Sequence, residues 1–368
     1  MSAVKKIVHK VYQIWLRVRW KMGAGGASLL GEAFLSDYER KKLPAGQIWK
    51  IHAKGFTVAD WCLMGVTLDN CKDFLATRDY YRLHPVNGEF NHWIDDKLTL
   101  KYLCAGTKLD RYMPKYYYQI DSRGRIMCLM DAPEVKHEPT AGDIARLLEQ
   151  ERTLAIKLVA GSVGTGFYKG EYRDGRYALN GEEMEQEAFC KAIEKLRDYI
   201  VIEYLQPHEE LAAYCPDTVN CIRYLTGRIN GRLQMLKGYI RFGTKQSGFV
   251  ENYNAGGVLC YLGTDGSFTK GNIMSESGLK NQTVTIHPDS SKELRGIIPM
   301  WEEVERAVEQ FDLHFPQLRY MGLDFVITSD HKVKVLEINS LTSVDGFQLD
   351  GPVYKTNAAE FYRIFRKG

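Results

Sequence analysis

Met321-Gly-Leu-Asp-Phe-Val-Ile-Thr328, followed across Ser329-Asp-His331 by Lys332-Val-Lys-Val-Leu-Glu-Ile-Asn339, places two acids and an amide inside otherwise apolar, β-rich runs. Thr328 paired with Val333 across a four-residue loop is the natural hairpin register. Counting back in twos sets Asp324 directly opposite Glu337, with Asn339 two residues further along the same face. Opposed carboxylates repel. At a Cβ separation of roughly 4.5–5.5 Å they become an asset when a hard cation lies between them. Magnesium, which takes one or two carboxylates plus substrate phosphates, is the best fit. The competing reading is a solvated sheet face, the usual setting of acids in amphipathic strands. Val326, Val333 and Val335, which this register assigns to the face of the acids, argue for burial. The hairpin therefore predicts a nucleotide site with Asp324, Glu337 and Asn339 as its metal ligands.

A chain of 368 residues, 45% of them hydrophobic, can bury a full core and is long enough for two or three domains. The net charge of +3 is too mild for a nucleic-acid binder, which needs a concentrated basic stripe. One local concentration exists. Lys5, Lys6, Lys10, Arg17, Arg19 and Lys21 precede the first acid, Glu32, and alternate with Val8, Val11, Tyr12, Ile14, Trp15, Leu16 and Val18. Residues 1–22 read as a cationic amphipathic helix, suited to lying on anionic lipid or to packing on the protein's own core. No uninterrupted apolar h-region follows the charges, and no segment reaches the roughly 18 apolar residues of a membrane span. The expectation is a cytoplasmic protein, with peripheral contact at the inner face of the membrane as the alternative role for the helix. The eight cysteines are scattered, without metal spacing, as suits reduced thiols.

Gly23-Ala-Gly-Gly26 reads as a flexible break, and Ser36-Asp-Tyr-Glu39 as an N-cap opening a short helix that ends before Pro44. Residues 1–95 then form the basic helix and a small mixed domain. A helix from Asp95-Asp96-Lys97 through Leu100, Leu103 and Cys104 ends at Gly106. Strands follow at Tyr116–Ile120 and Ile126–Met130, then a helix from Asp143 to about Gln150 and a strand at Leu154–Val159. Beyond lie a hairpin turning at Asp174-Gly175, an acidic helix from Glu182 to Tyr199, and a strand from Tyr199 to Leu205. A β-rich lobe spans Thr218 to Tyr261, and a helix covers Met300 to Gln310. Mainly antiparallel strands with few helices make the fold class α+β.

Gly161, Gly164 and Gly166 follow a strand but precede another strand, so the loop is neither a Rossmann turn nor a Walker loop. Such a loop can lay backbone N–H groups over a triphosphate, with hydroxyls from Ser162 and Thr165. The plainer reading is a turn. Lys157 favours the first, because it projects from the strand just before the loop and can reach a phosphate as a point charge. Lys97 is a second candidate, although a helical lysine is by default a solvated one.

Asp96-Lys97, Lys157 with its glycine-rich loop, Ile202-Glu-Tyr-Leu205, and Asp324 with Glu337-x-Asn339 stand in the order seen in ATP-grasp enzymes, and the chain resembles that superfamily over roughly residues 95–345. Thr218-Val-Asn-Cys-Ile-Arg-Tyr-Leu-Thr226, Tyr239-Ile-Arg-Phe-Gly243 and Glu251-Asn-Tyr-Asn-Ala-Gly-Gly257 look like the branch associated with sugar transfer and polysaccharide biosynthesis. The resemblance implies an ATP-grasp fold: two α+β lobes (residues 96–204 with the glycine-rich loop, 205–368 with the metal site) clamping ATP, after a small N-terminal domain. It implies that Lys97 and Lys157 contact phosphates and that Glu203, Tyr204 and Leu205 form a hinge strand reading adenine. Glu210 would hold the ribose, with Glu209 an equal candidate. Asp324, Glu337 and Asn339 would hold Mg2+, Arg241 and Asn252 would line the γ-phosphate and acyl-phosphate position, and Arg223 would bind phosphate or a substrate carboxylate. Many members carry proline after the central lysine. This chain has Leu158, a change in backbone stiffness more than in chemistry.

Joining a carboxylate to an amine in water requires activation, because the carboxylate is a poor leaving group and its charge repels nucleophiles. Phosphoryl transfer needs chiefly positioning and charge neutralisation, which lysines, arginines and magnesium supply. A closing lid keeps water from the acyl-phosphate. The reading is an ATP-dependent carboxylate–amine ligase with ATP and Mg2+, acting on a small-molecule or sugar-linked carboxylate and an amine for a surface polysaccharide. A phosphotransferase on a hydroxyl acceptor and a non-catalytic nucleotide-binding protein are the alternatives. No oligomeric state follows from these motifs.

Overall fold

The computed structural model describes residues 3–40, 42–83, 85–160, 166–342 and 346–366. The N-terminal region is helical rather than mixed. It contains α1 (Ala3–Trp20), α2 (Ala24–Arg40), α3 (Ala45–Ala53), α4 (Val58–Leu63), α5 (Thr77–Tyr81) and α6 (Asn91–Asp95), with no strand among its described residues. The expected break at Gly23–Gly26 falls earlier, at residues 21–23, and Ala24–Gly26 are the start of α2. Gly26 lies where an added Cβ would stand 2.5 Å from the Tyr81 carbonyl oxygen, so its role is close packing. Nor does Ser36 open a helix: the buried stripe of Leu30 and Phe34 leads through it to Asp37 within α2, and the Asp37 carboxylate accepts from Val58 N at 2.8 Å. Leu16 and Trp20 of α1 pack against Ala27, Leu30 and Phe34 of α2.

After α7 (Lys97–Cys104) comes the first of two antiparallel seven-stranded sheets. Its strands are β1 (Tyr116–Ile120), β2 (Ile126–Cys128), β3 (Thr153–Leu158), β4 (Tyr168–Arg173), β5 (Arg176–Leu179), β6 (Glu182–Met184) and β7 (Tyr199–Glu203), ordered β2-β1-β7-β3-β4-β5-β6. The acidic segment expected to be helical from Glu182 begins as β6, because the Asp174-Gly175 turn leads into a ladder in which Met184 pairs with Tyr177. α8 (Ala141–Glu151) and α9 (Gln186–Glu194) bury Ile144, Leu148, Phe189 and Ile193 against Leu154, Ile156 and Val201 on one face. Alternation turns Ala155, Lys157, Ile200 and Ile202 to the opposite face.

α10 (Glu209–Ala212) leads into the second sheet. It contains β8 (Ile222–Ile229), β9 (Arg232–Phe242), β10 (Val258–Leu262), β12 (Gly271–Met274), β13 (Asn281–Val284), β15 (Tyr320–Ile327) and β16 (Val333–Asn339); β11 (Ser267–Phe268) and β14 (Gly296–Ile297) pair separately. α11 (Trp301–His314) covers one face, packing Val304 and Phe311 with Ile222, Phe325 and Val335. On the other face, Leu225, Tyr239, Leu259 and Tyr320 join Ile48, Phe56 and Leu75 of the N-terminal region in one core, with Phe361 and Tyr362 of α12 (Ala359–Arg366).

The β15–β16 hairpin differs from its expected register at the tip. Ile327, not Thr328, pairs with Val333, and Phe325 pairs with Val335; a bulge at Leu336 then restores the opposition of Asp324 and Glu337. The extra residue changes which side chains share a face. Val333 and Val335 turn away from the acids and enter the core beneath α11, whereas Leu336 and Glu337 both border the cleft between the sheets.

Candidate active site

The antiparallel ladder aligns the second sheet's polar residues in a row. Leu259 is opposite Arg241, Tyr239 opposite Arg223, Arg223 opposite Asp324, and Asp324 opposite Glu337. Directly opposed residues share a face, so strands far apart in sequence present one surface to the cleft. Across it, the first sheet presents Ala155, Lys157 and Ile202. The cleft has a volume of about 380 Å3, within the range of small-molecule sites.

Asp324 is buried, and its counter-charges are protein side chains. Arg223 donates through Nη2 at 2.9 Å and also through Nε, while Arg241 Nη2 donates to the same carboxylate at 2.9 Å. Burial alone would raise the Asp324 pKa, but the two guanidiniums outweigh it and hold the carboxyl below its usual range. Burial likewise works against the charge of Arg223 and Arg241, and Asp324 more than offsets it. Arg223 passes close to Gly322, where an added Cβ would stand 1.9 Å from Thr342 Oγ1 and 3.3 Å from Arg223 Cδ, so only glycine fits beside the pair.

Glu337 pairs with Lys97 at 3.3 Å and accepts a hydrogen bond from Asn339 Nδ2 at 3.4 Å. Lys97 is the first residue of α7, whose N-cap Asp96 accepts from Thr99 N at 2.7 Å. That cap fixes the helix start and directs a buried lysine at the hairpin. Lys157 Nζ reaches the Leu336 carbonyl oxygen at 3.5 Å, and burial beside Lys97 pulls its pKa down to about 8. Four cations against the carboxylates of Asp324, Glu337 and Glu251 favour a polyanionic ligand. The oxygens of Glu337 and Asn339, beside Asp324, are the hard donors that magnesium takes, so the residues present fit that ion. Since Asp324 already accepts from two arginines, Glu337 and Asn339 are the more available ligands.

Glu203, Tyr204 and Leu205 line the cleft where β7 leaves the first sheet, and Glu203 is anchored by Lys115 N at 3.0 Å. Asn252 Oδ1 accepts from Arg241 Nη1 at 3.1 Å. Glu210 does not join the group: it is exposed on α10 and outside the cleft lining, as is Glu209. Gly166, at φ +72°, packs at the foot of its loop, where a Cβ would stand 2.7 Å from the Tyr199 hydroxyl. Gly161, Ser162 and Gly164 lie outside the described residues.

Several lining residues were given no site role by the sequence reading. Glu251 stands 3.6 Å from Arg241; burial raises its pKa while Arg241 opposes the rise. Its proximity to Asn252 was the available signal. Thr342 Oγ1 accepts from Arg223 Nη1 at 3.3 Å, and Phe167 and Phe249 supply apolar walls. No local motif marks these three.

Residues 77–361 match the family model for sugar-transfer associated ATP-grasp proteins. Among solved structures, D-alanyl-alanine synthetase A from Vibrio cholerae is similar at 12% identity, covering 74% of this chain and 66% of that one, with a TM-score of 0.41. The ATP-grasp ligase PsnB, complexed with a minimal precursor, is similar at 13% identity, covering 77% and 62%, with a TM-score of 0.39. N5-carboxyaminoimidazole synthetase from Staphylococcus aureus is similar at 12% identity, covering 71% and 50%, with a TM-score of 0.36. The chain spans less than two thirds of the length of these structures. A search of curated proteins finds no match. With the family match running from α5 into α12, through the whole cleft, the chain belongs to the sugar-transfer associated ATP-grasp family.

Proposed function

We propose that this protein is an ATP-dependent carboxylate–amine ligase working through an acyl-phosphate. The observation that supports this most is the convergence of Lys97, Lys157, Arg223 and Arg241 with Asp324, Glu337 and Asn339 on one cleft. Lys97 and Lys157 bind the nucleotide's phosphates as point charges, and the backbone of Glu203–Leu205 holds the base. Glu337 and Asn339, beside Asp324, would hold magnesium, which when bound would supply charge neutralisation at the phosphate oxygens.

The acceptor's carboxylate oxygen attacks the γ-phosphorus and the bond to ADP breaks, giving the acyl-phosphate. An amine then attacks the acyl carbon, inorganic phosphate leaves, and the nitrogen loses its proton. Arg241, oriented by Asp324 and Asn252, is placed to stabilise negative charge through both steps. Arg223 is locked more deeply by its two donors to Asp324 and orients that carboxylate. The family's association with sugar transfer supports a sugar acid or amino acid as carboxylate, joined to an amine for a surface polysaccharide.

Incubation with ATP, magnesium and candidate carboxylates, with hydroxylamine as trap, tests the reading. A hydroxamate is expected. A stable phosphate ester would instead identify a phosphotransferase, and no nucleotide turnover with any acceptor would leave a binding protein.

A further inference from the structure

Among its described side chains, α1 has two apolar faces, one covered and one exposed. Leu16 and Trp20 are buried against α2, and Gln13 Nε2 on the same side donates to Ser28 Oγ at 2.8 Å. Opposite them, Val11, Ile14, Trp15 and Val18 follow helical spacing and are 62%, 55%, 45% and 76% exposed. A solvated helix carries polar residues on such a face. Here the stripe is flanked by exposed Lys10 and Arg17 on one side and exposed Arg19 on the other. The charge is local: the whole chain balances 49 basic residues against 46 acidic ones, yet no acid precedes Glu32.

These features select the occupant. A second copy docked face to face would bring the same cations against each other, as a two-fold interface places like surfaces together. Nucleic acid would satisfy the cations but not the apolar stripe. An anionic lipid surface satisfies both, with apolar side chains among the acyl chains, an indole at the boundary and bases on the phosphates. Among the described residues no helix is long and apolar enough to cross a membrane, so the arrangement lies in the interface plane. We propose that α1 docks the protein on anionic membranes, inserting Val11, Ile14, Trp15 and Val18 while Lys10, Arg17 and Arg19 hold the headgroups. This stands independently of the reaction performed in the cleft.

The test is co-sedimentation of the full chain with vesicles of phosphatidylcholine alone or with about one quarter phosphatidylserine, at about 50 mM and about 500 mM salt. Binding to the anionic vesicles at low salt is expected to exceed binding to neutral ones by at least about tenfold and to fall at high salt. Two variants separate the contributions: Val11→Ser with Ile14→Ser and Val18→Ser, and Lys10→Glu with Arg17→Glu and Arg19→Glu. Each is expected to lose at least about tenfold in partitioning with an unchanged melting curve, since every altered side chain is exposed. Absence of binding to anionic vesicles at low salt overturns the proposal. So does equal binding by the serine variant, which would mean charge adhesion alone. A concentration-dependent dimer abolished by the serine changes, without lipid binding, would overturn it in favour of a second copy.

Discussion

Asp324 and Glu337 face each other across one hairpin, yet their environments predict different responses to substitution. Asp324 is buried and holds two arginines, so Asp324→Asn takes the carboxylate from Arg223 and leaves Arg241 only the more distant Glu251, and is expected to cost about 3–5 kcal/mol in urea denaturation. Glu337 is 29% exposed to the cleft. Glu337→Gln is expected to keep the fold while lowering magnesium-dependent turnover at least about tenfold, roughly 1.4 kcal/mol of transition-state stabilisation. An unaltered rate would remove Glu337 from the metal set. Lys157 gives a pH signature. With its pKa pulled down to about 8 by burial and by Lys97, it is about half charged at that pH, and a bound polyphosphate restores the proton. Nucleotide binding near pH 8 should therefore take up about half a proton, read as a buffer-dependent heat in calorimetry, and Lys157→Met should abolish that uptake. The sign for stability is opposite to that of an ion-paired lysine. The cost of a charged Lys157 is fully present below about pH 8 and relieved as pH rises toward 10.5, so this group makes the ligand-free fold more stable across that window. The residue types were legible, but the arginine neutralisation of Asp324 was not, because Arg223 and Arg241 lie on other strands.

At the scale of elements, α1 and α2 share a small core of Leu16, Trp20, Ala27, Leu30 and Phe34. Deleting residues 1–22 exposes the α2 side of that core. Differential scanning calorimetry should show melting lowered by at least about 5 °C, while turnover on a water-soluble acceptor stays within about twofold of the full chain. Equal melting would show that α1 contributes nothing to the fold. The same pair shows how local signals were overridden: Ser36 has an N-cap signature, but apolar spacing before it and burial of Asp37 keep it inside α2. In β16, period-two counting correctly opposed Asp324 and Glu337 but missed the compensating slip at Leu336. A bulge costs no recognisable residue type, so nothing in Val-Leu-Glu announces it.

Across the whole molecule, the N-terminal helices and the second sheet behave as one body because they share one core. Asn87 ties them: its amide oxygen accepts from Arg319 N at 2.8 Å and Tyr320 N at 3.0 Å, and its nitrogen donates to the Tyr320 carbonyl at 2.7 Å. Asn87→Ala strands three backbone groups and is expected to cost at least about 2 kcal/mol. Hydrogen exchange should show α3 to α5 losing protection together with β8 and β9; loss confined to the helices would indicate an independent N-terminal unit.

Alternating apolar runs, the Asp96 cap and the hairpin acids determined the α+β class, the start of α7 and the membership of the cleft's central residues, because each depends on periods of two or 3.6 within a short segment. Tertiary structure alone decided which cation answers each acid, where Glu251 and Thr342 enter, that Glu210 stays outside, and that the N-terminal helices share a core with the second sheet. Those outcomes depend on contacts between segments many residues apart, such as Asn87 with Tyr320 and Arg223 with Asp324. The free energy of such contacts lies in burial and pairing that exist only once the strands are assembled.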